Sequence, residues 1–342
     1  MPSMQNKEIG SEFWLDDDLP QAISARDGIY VLSGRTAIDL ILQDILASSK
    51  VRNVYMPAWC CDSMVAPFFA HGIEVRFYDV EYREGRLVCY TKFIDNTDIL
   101  YLTNYFGYEN TIDIEIVKQF KAKGAVILYD RTHSYLMDND PYLVLADYSF
   151  TSIRKWMGVI GGAEVEGVQD VALKLCPYLA PKEKAMRMKQ AYLAGDDTID
   201  KQEFLKLYGA FGHHLAEDYR DYAMDDLSYA IYKATDIEAM KAQRRANAQY
   251  LYEHLNLQFL SPLTPNACPL FVPVLFPSKE ERDRVRKRLI EAEIYCPIHW
   301  PKPAQIPTEF EVNKIYDTEL SLICDQRYTT DDMSRIVAVI NE

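Results

Sequence analysis

Between residues 51 and 165, short apolar, β-branched and aromatic runs alternate with stretches of helical periodicity. The runs VRNVYM, IEVRFYDV, DILYLTNYF, AVILYD and ADYSF each end at a polar or glycine-bearing segment. Several, AVILY among them, are continuously apolar, the pattern of strands covered on both faces. Helical segments lie between them, such as TIDIEIVKQFKAKG, with a threonine at its start and a glycine at its stop. Strands separated by helices build βαβ units, so the pattern predicts an α/β fold with a mostly parallel sheet flanked by helices.

From residue 181 to 257 the pattern becomes long, charged, amphipathic and helical, clearest in IEAMKAQRRANAQYLYEHL. A proline-bearing stretch, LSPLTPNACPLFVPVLFP, then introduces a β-like run, the helix SKEERDRVRKRLIEA, a short strand around EIYCPIHWP and a closing helix after Thr329. This predicts an N-terminal arm and large domain over 1–249 and a smaller α+β domain over 250–342. No internal repeat or low-complexity tract interrupts the chain.

Charge narrows the function classes. A formal net charge of -14 argues against nucleic-acid or anionic-membrane binding, both of which need a basic face. No run approaches the roughly 20 apolar residues of a membrane span, and MPSMQNKEIGSEFWLDDD lacks the order of a signal peptide, so a cytoplasmic protein is expected. The seven cysteines are scattered without CxxC spacing, which fits free thiols. The pair His213 and His214 has no acid or cysteine at ligand spacing, and no metal is assigned.

Three short segments carry candidate chemistry. In YVLSGRTAIDLILQDIL an apolar strand end gives way to Ser33, Gly34, Arg35 and Thr36 at a helix start, where free N–H groups and the helix dipole favour a phosphate; a plain capped helix reads the same way. AVILYDRTHSYL ends a buried strand on Asp130, with His133 three residues on, at the strand end where α/β folds bind ligands. DYSFTSIRKWMGVIGGA carries Lys155 between hydroxyl residues and glycines. Each alone is weak. Together, a phosphate cradle, a strand-terminal aspartate 95 residues after Arg35 and a lysine 25 residues after that describe a pyridoxal phosphate (PLP) site in the order of fold type I enzymes.

In these segments the chain resembles the DegT/DnrJ/EryC1/StrS family of PLP-dependent sugar aminotransferases. SGRTAIDLIL is similar to that family's phosphate segment, VYMPAWCCDSMVAPFFAHGIEVRFYDV to its proline-led strand and helix, and YSFTSIRKWMGVIGGA to its lysine segment. QRRANAQYL, IYCPIHWP and LSLICDQRYTTDDMSRIVAVI resemble its C-terminal pattern. The resemblance implies a fold type I transferase in which Lys155 holds PLP covalently and Asp130 pairs with the pyridine nitrogen. It places His133 near the cofactor's phenolic oxygen. Gly34, Arg35, Thr36 and either Ser149 or Ser152 would contact the phosphate; one extra residue before Lys155 leaves the choice of serine open. The family's ring-stacking position falls on Cys61, so either Trp59 takes that role or the ring packs differently.

Further implications concern substrate and assembly. The resemblance implies an amino donor, commonly glutamate, a keto sugar linked to a nucleotide for surface polysaccharide biosynthesis, and a homodimer with sites at the interface. Tyr105, Arg187 and His299 are the substrate candidates. The helix PKEKAMRMKQAY, with Lys182, Lys184, Arg187 and Lys189, reads either as a diphosphate contact or as a solvated face. The chain departs from the family where YAMDDLSYAIYK replaces the segment that reaches the partner's site. A non-catalytic PLP-binding or regulatory paralogue is the alternative from another class. A sugar dehydrase is a third, but those relatives have histidine where Lys155 stands.

Overall fold

The continuously apolar runs form the middle of an eight-stranded sheet in the computed structural model, which describes residues 8–16, 20, 25–109, 112–169 and 171–342. In chain order its first part comprises β1 (Ile9–Gly10), β2 (Ile29–Val31), α1 (Gly34–Ser48), β3 (Asn53–Pro57), α2 (Asp62–Ala70), β4 (Glu74–Arg83) and β5 (Arg86–Tyr90). There follow β6 (Ile99–Thr103), α3 (Ile114–Ala122), β7 (Val126–Asp130), β8 (Tyr148–Thr151) and β9 (Ala163–Glu166). The sheet order is β2-β9-β8-β7-β6-β3-β4-β5. Strands β8, β7, β6, β3 and β4 are mutually parallel, whereas β9 and β5 run against them. Every residue of β3 and β6 is buried, as expected for strands covered on both faces.

Because the central strands share a direction, Pro57, Thr103, Asp130 and Thr151 end on one edge of the sheet, where open α/β sheets bind ligands. Helix α1 begins at that level. Its N-cap Ser33 is extended, and its hydroxyl accepts from the Thr36 N–H at 3.2 Å, while Ile38, Ile41, Leu42 and Ile45 bury the opposite stripe. The helix expected from Thr111 starts later, capped by Asp113, whose carboxylate accepts from Glu115 N–H; Thr111 lies outside the described residues.

The helical region resolves into α4 (Leu179–Leu193), α5 (Lys201–Glu217), α6 (Asp226–Ala234) and α7 (Ile237–His254). Beyond it come β10 (Gln258–Phe259), β11 (Val272–Leu275), α8 (Lys279–Glu291), β12 (Ile294–Tyr295), α9 (Val312–Thr318), β13 (Glu319–Leu322) and α10 (Thr330–Asn341). Strands β10, β11 and β13 form a small antiparallel sheet whose core gathers Val272, Val274, Leu289, Leu320 and Ile336 with Ala248 and Leu251 of α7. The division expected at 249/250 therefore falls inside α7, whose last turns belong to the small core. Ile9 joins the same core because β1 pairs in parallel with β12, which straps the N-terminal segment across the molecule. Among the described residues no helix is long and apolar enough to cross a membrane.

Candidate active site

Asp130 and Lys155 are fixed relative to each other through the loop after β7. Arg131 N–H donates to Phe150 O at 2.9 Å, Ser152 N–H to Thr132 Oγ1 at 3.1 Å, and Trp156 Nε1–H to Thr132 O at 2.6 Å. The chain thus leaves β8 in a single 3₁₀ turn, Ile153–Lys155, that cannot move without the aspartate loop. From behind, Arg244 of α7 lies over the Trp156 ring at 4.6 Å and donates to Trp156 O, Pro269 O and Leu270 O. This buried arginine comes from the QRRANAQYL segment and locks the lysine turn to the helix that leads into the small three-stranded sheet.

One cavity opens at the strand ends, lined by Ser33, Gly34, Arg35, Cys61, Asp130, His133, Ser152 and Lys155, together with Glu12, Arg154, Lys182, Tyr208 and Trp300. Inside it the ionisable groups are tuned by crowding. Burial pushes the Asp130 carboxyl up, against hydrogen bonds from Thr132 N–H at 2.8 Å and Tyr101 O–H at 2.8 Å and the charge of Lys155. Burial, and then the neighbouring Arg154 charge, lowers the proton affinity of the Lys155 amine. His133 is held neutral, well below the usual imidazole range, by burial and by His299 and Lys155. Its Nδ1 accepts from Phe106 N–H at 3.2 Å, so the ring proton sits on Nε2. That contact requires a bent backbone: Phe106 (φ 58) and Gly107 (φ 78) are both left-handed, and a Cβ on Gly107 would lie 2.1 Å from Cys268 O.

The cavity fits a phosphorylated heterocycle. At the N-terminus of α1 free N–H groups and the dipole favour an anion. Arg35, on the first turn of α1, carries a buried Nε with no partner among the described residues. Gly34 leaves the cradle open, since a Cβ there would sit 3.4 Å from Ser152 Cβ and from Phe150 Cε2. Asp130, short of charge compensation, suits a protonated ring nitrogen.

Several expected residues stand elsewhere. Ser149 donates to Glu166 on the face of β8 away from the cavity, whereas Ser152 lines it. Trp59 is fully buried, donates from Nε1 to His299 O at 2.7 Å and stacks on Tyr105 at 4.8 Å, so neither ring reaches the cavity wall. Cys61 does reach it, with Sγ 2.9 Å from Ser63 Oγ. Thr36 caps back onto Ser33 and is buried beneath the cradle. Arg187 pairs with Glu183 at 2.8 Å on the outer face of α4, half exposed, away from the cavity. His299 is buried one residue behind the wall, its Nδ1 2.8 Å from Ser321 Oγ and its N–H donating to Glu319 Oε2. His213 pairs with Glu217 and His214 packs on Tyr178; among the described residues no group of three acids, histidines or cysteines is arranged for a metal.

Glu12, Arg154 and Trp300 line the cavity without having been candidates in the sequence, and Lys182, one of the cations named there as a possible diphosphate contact, joins them. Arg154 and Trp300 adjoin residues that were candidates. Helix α4 proves two-sided: Lys182 and Lys189 are buried against Glu12 and Glu8, and Lys184 and Arg187 are in solvent. For Glu12, 143 positions before Lys155, no local signal existed.

No family model matches the chain, and no curated protein matches it. Solved structures do. The aminotransferase TlmJ from Streptoalloteichus hindustanus superposes with a TM-score of 0.63 at 15% identity, over 91% of this chain and 84% of its own. The sugar aminotransferase CalS13 from Micromonospora echinospora gives 0.63 at 14% over 91% and 86%. Spr1654 from Streptococcus pneumoniae, in its PLP form, gives 0.62 at 14% over 91% and 85%. The chain therefore has the fold of these aminotransferases, the fold type I architecture implied by the sequence resemblance.

Proposed function

We propose that the chain is a PLP-dependent aminotransferase that moves an amino group from an amino-acid donor, glutamate, to a keto sugar. The observation that carries this reading is that Lys155, Asp130 and the α1 N-terminus line one cavity. Their order along the chain and the fold shared with known sugar aminotransferases support it. Bound there, PLP would supply a reactive aldehyde carbon and a ring able to take up electron density.

The protein's part follows from its own groups. Ser152, the N–H groups after Ser33, and Arg35 bind and orient the phosphate. Asp130, buried at the strand end, would keep a proton on the ring nitrogen. His133 Nε2–H is the donor for the phenolic oxygen. Lys155, its amine inclined to shed a proton, would hold the group, and its Nζ is the base that would move the proton at the substrate's amino-bearing carbon. Phe150 and Trp300 shield the cavity from water.

The finer reading is a nucleotide-linked keto sugar in surface polysaccharide biosynthesis, handled in the cytoplasm by a homodimer. The open rim along α5, where Gly212 and Ala216 border the cavity, supports a partner chain there. Cys61 at the expected stacking position supports the alternative, a PLP-binding paralogue without turnover. One experiment separates them. Purified chain with PLP should develop a visible band that L-glutamate bleaches and 2-oxoglutarate restores. A band that no amino donor moves favours the paralogue, and a chain that takes up no PLP sinks both readings.

A further inference from the structure

The charges lining the cavity do not balance among themselves. Arg35, Arg154, Lys155 and Lys182 face only Glu12 and Asp130. Lys182 Nζ donates to Glu12 Oε2 at 3.1 Å, and the Asp130 charge is felt at Lys155. That leaves two guanidinium groups, each with a buried Nε lacking a partner among the described residues. Arg35 belongs to the phosphate end, on the first turn of α1, with Nη1 donating to Leu215 O at 2.9 Å. Arg154 lies close to the Glu12–Lys182 pair, and its charge is also felt at Lys155 and Arg35. A phosphate at α1 answers the first arginine and leaves the second.

The surroundings of Arg154 are rigid. The N-terminal strap is held by Lys189 Nζ and Arg327 Nη1 donating to Glu12 O at 2.7 and 3.2 Å, and by Tyr208 O–H donating to Phe13 O at 2.7 Å. Lys182 Nζ also lies 4.0 Å over the Tyr208 ring. The Glu12 side chain is half exposed, and against partial desolvation Lys182 and Arg154 hold its carboxyl down at about 2. Arg154, Lys182 and Glu12 thus form a fixed cluster of net charge one positive.

We propose that this cluster is a second anion subsite that takes the α-carboxylate of the amino donor. The proposal rests on the aminotransferase reading and adds to it the residue that selects an amino acid over a plain amine. A guanidinium offers a planar fork that matches a carboxylate with two hydrogen bonds, and a desolvated N–H without an acceptor marks where a ligand supplies one. Arg154 precedes Lys155 in the chain. An α-amino acid carries its carboxylate one carbon from the nitrogen that would replace Lys155 on the cofactor's aldehyde carbon, which suits a guanidinium whose charge is felt at Lys155. Glu12 limits the subsite to a single carboxylate.

The test uses PLP-loaded full-length chain, titrated with L-glutamate and with 1-aminobutane, which lacks a carboxylate. Arg154→Gln should weaken L-glutamate by about 10- to 100-fold, leave 1-aminobutane unchanged and leave PLP affinity within about twofold. Arg154→Lys should recover only part, because it restores charge without the fork. Glu12→Gln should act in the opposite direction and tighten L-glutamate. Retained PLP binding shows that each variant is folded. The proposal is overturned if Arg154→Gln handles L-glutamate like the parent, or if it loses PLP affinity instead, which would make Arg154 a phosphate ligand. A parent that takes up no PLP overturns the aminotransferase reading and this proposal together, whereas a parent that reacts alongside an indifferent Arg154→Gln overturns this proposal alone.

Discussion

The two walls of the cavity are built in opposite ways. The cradle wall, with Ser33 to Thr36, Asp130, His133 and Ser152, comes from strand ends and the turns that follow them, so each residue is placed by its own neighbours. The facing wall, with Glu12, Arg154, Lys182 and Tyr208, is assembled by a strap from the N-terminus, the lysine turn and two helices that meet only in the folded chain. A wall made of local turns can be read as motifs. A wall made of long-range ion pairs cannot, and it depends more heavily on the stability of the whole.

Substitutions on each wall should separate these roles. On the strap side, Glu8 is nearly fully buried and pairs with Lys189 at 3.0 Å and Lys201 at 2.6 Å. Glu8→Ala should destabilise the fold by about 3–5 kcal/mol, toward the low end because burial already holds Lys189 at about 8 and lets it shed its proton. Urea unfolding measures this, and a loss under about 1 kcal/mol would mean the strap is only loosely attached. On the cradle side, Asp130→Ala should cut turnover by about 10²–10³-fold while PLP still binds, with little change in stability. A variant with normal turnover would sink the assignment of Asp130.

A smaller effect is expected at Gly34. One Cβ fits at 3.4 Å from Ser152, but the branches of Gly34→Val would fill the cradle, and PLP affinity should fall by about tenfold, in line with the cost of overpacking. Unchanged affinity would place the phosphate elsewhere. A further effect lies away from both walls. Glu319 is fully buried, and burial raises it from 4.5 to about 8, offset in part by Ser321 O–H and His299 N–H. Between those values the folded state holds a proton that the unfolded chain has lost. Its contribution is therefore full below pH 4.5 and is lost as pH rises through about 8. Thermal melts of the parent should show that decline, and Glu319→Gln should flatten it; an equally steep slope in the variant would assign the decline to other groups.

How far the sequence could be read follows the same division. The parallel strands were legible because burial on both faces leaves unbroken apolar runs, and Ser33, Asp130 and Lys155 were legible because each follows such a run. Which serine faces the cavity was not, since it depends on the strand's alternation: Ser149 points to Glu166, and Ser152, three residues on, turns inward. Trp59 misled for a related reason. An aromatic beside the expected stacking position is sequestered under Tyr105 and His299, and a later tryptophan, Trp300, lines the cavity instead. The strap through Glu8 and Glu12 left no trace, because its partners on α4 looked like one solvated cationic face until folding buried half of them.

The central claim is that Lys155 carries the cofactor. The most direct test is to load the purified chain with PLP, reduce it with borohydride and map the pyridoxyl label by peptide mass spectrometry. One label is expected, on the peptide containing Lys155, and none in Lys155→Ala. Label on Lys182 or Lys189 instead, or none in the parent, would contradict it.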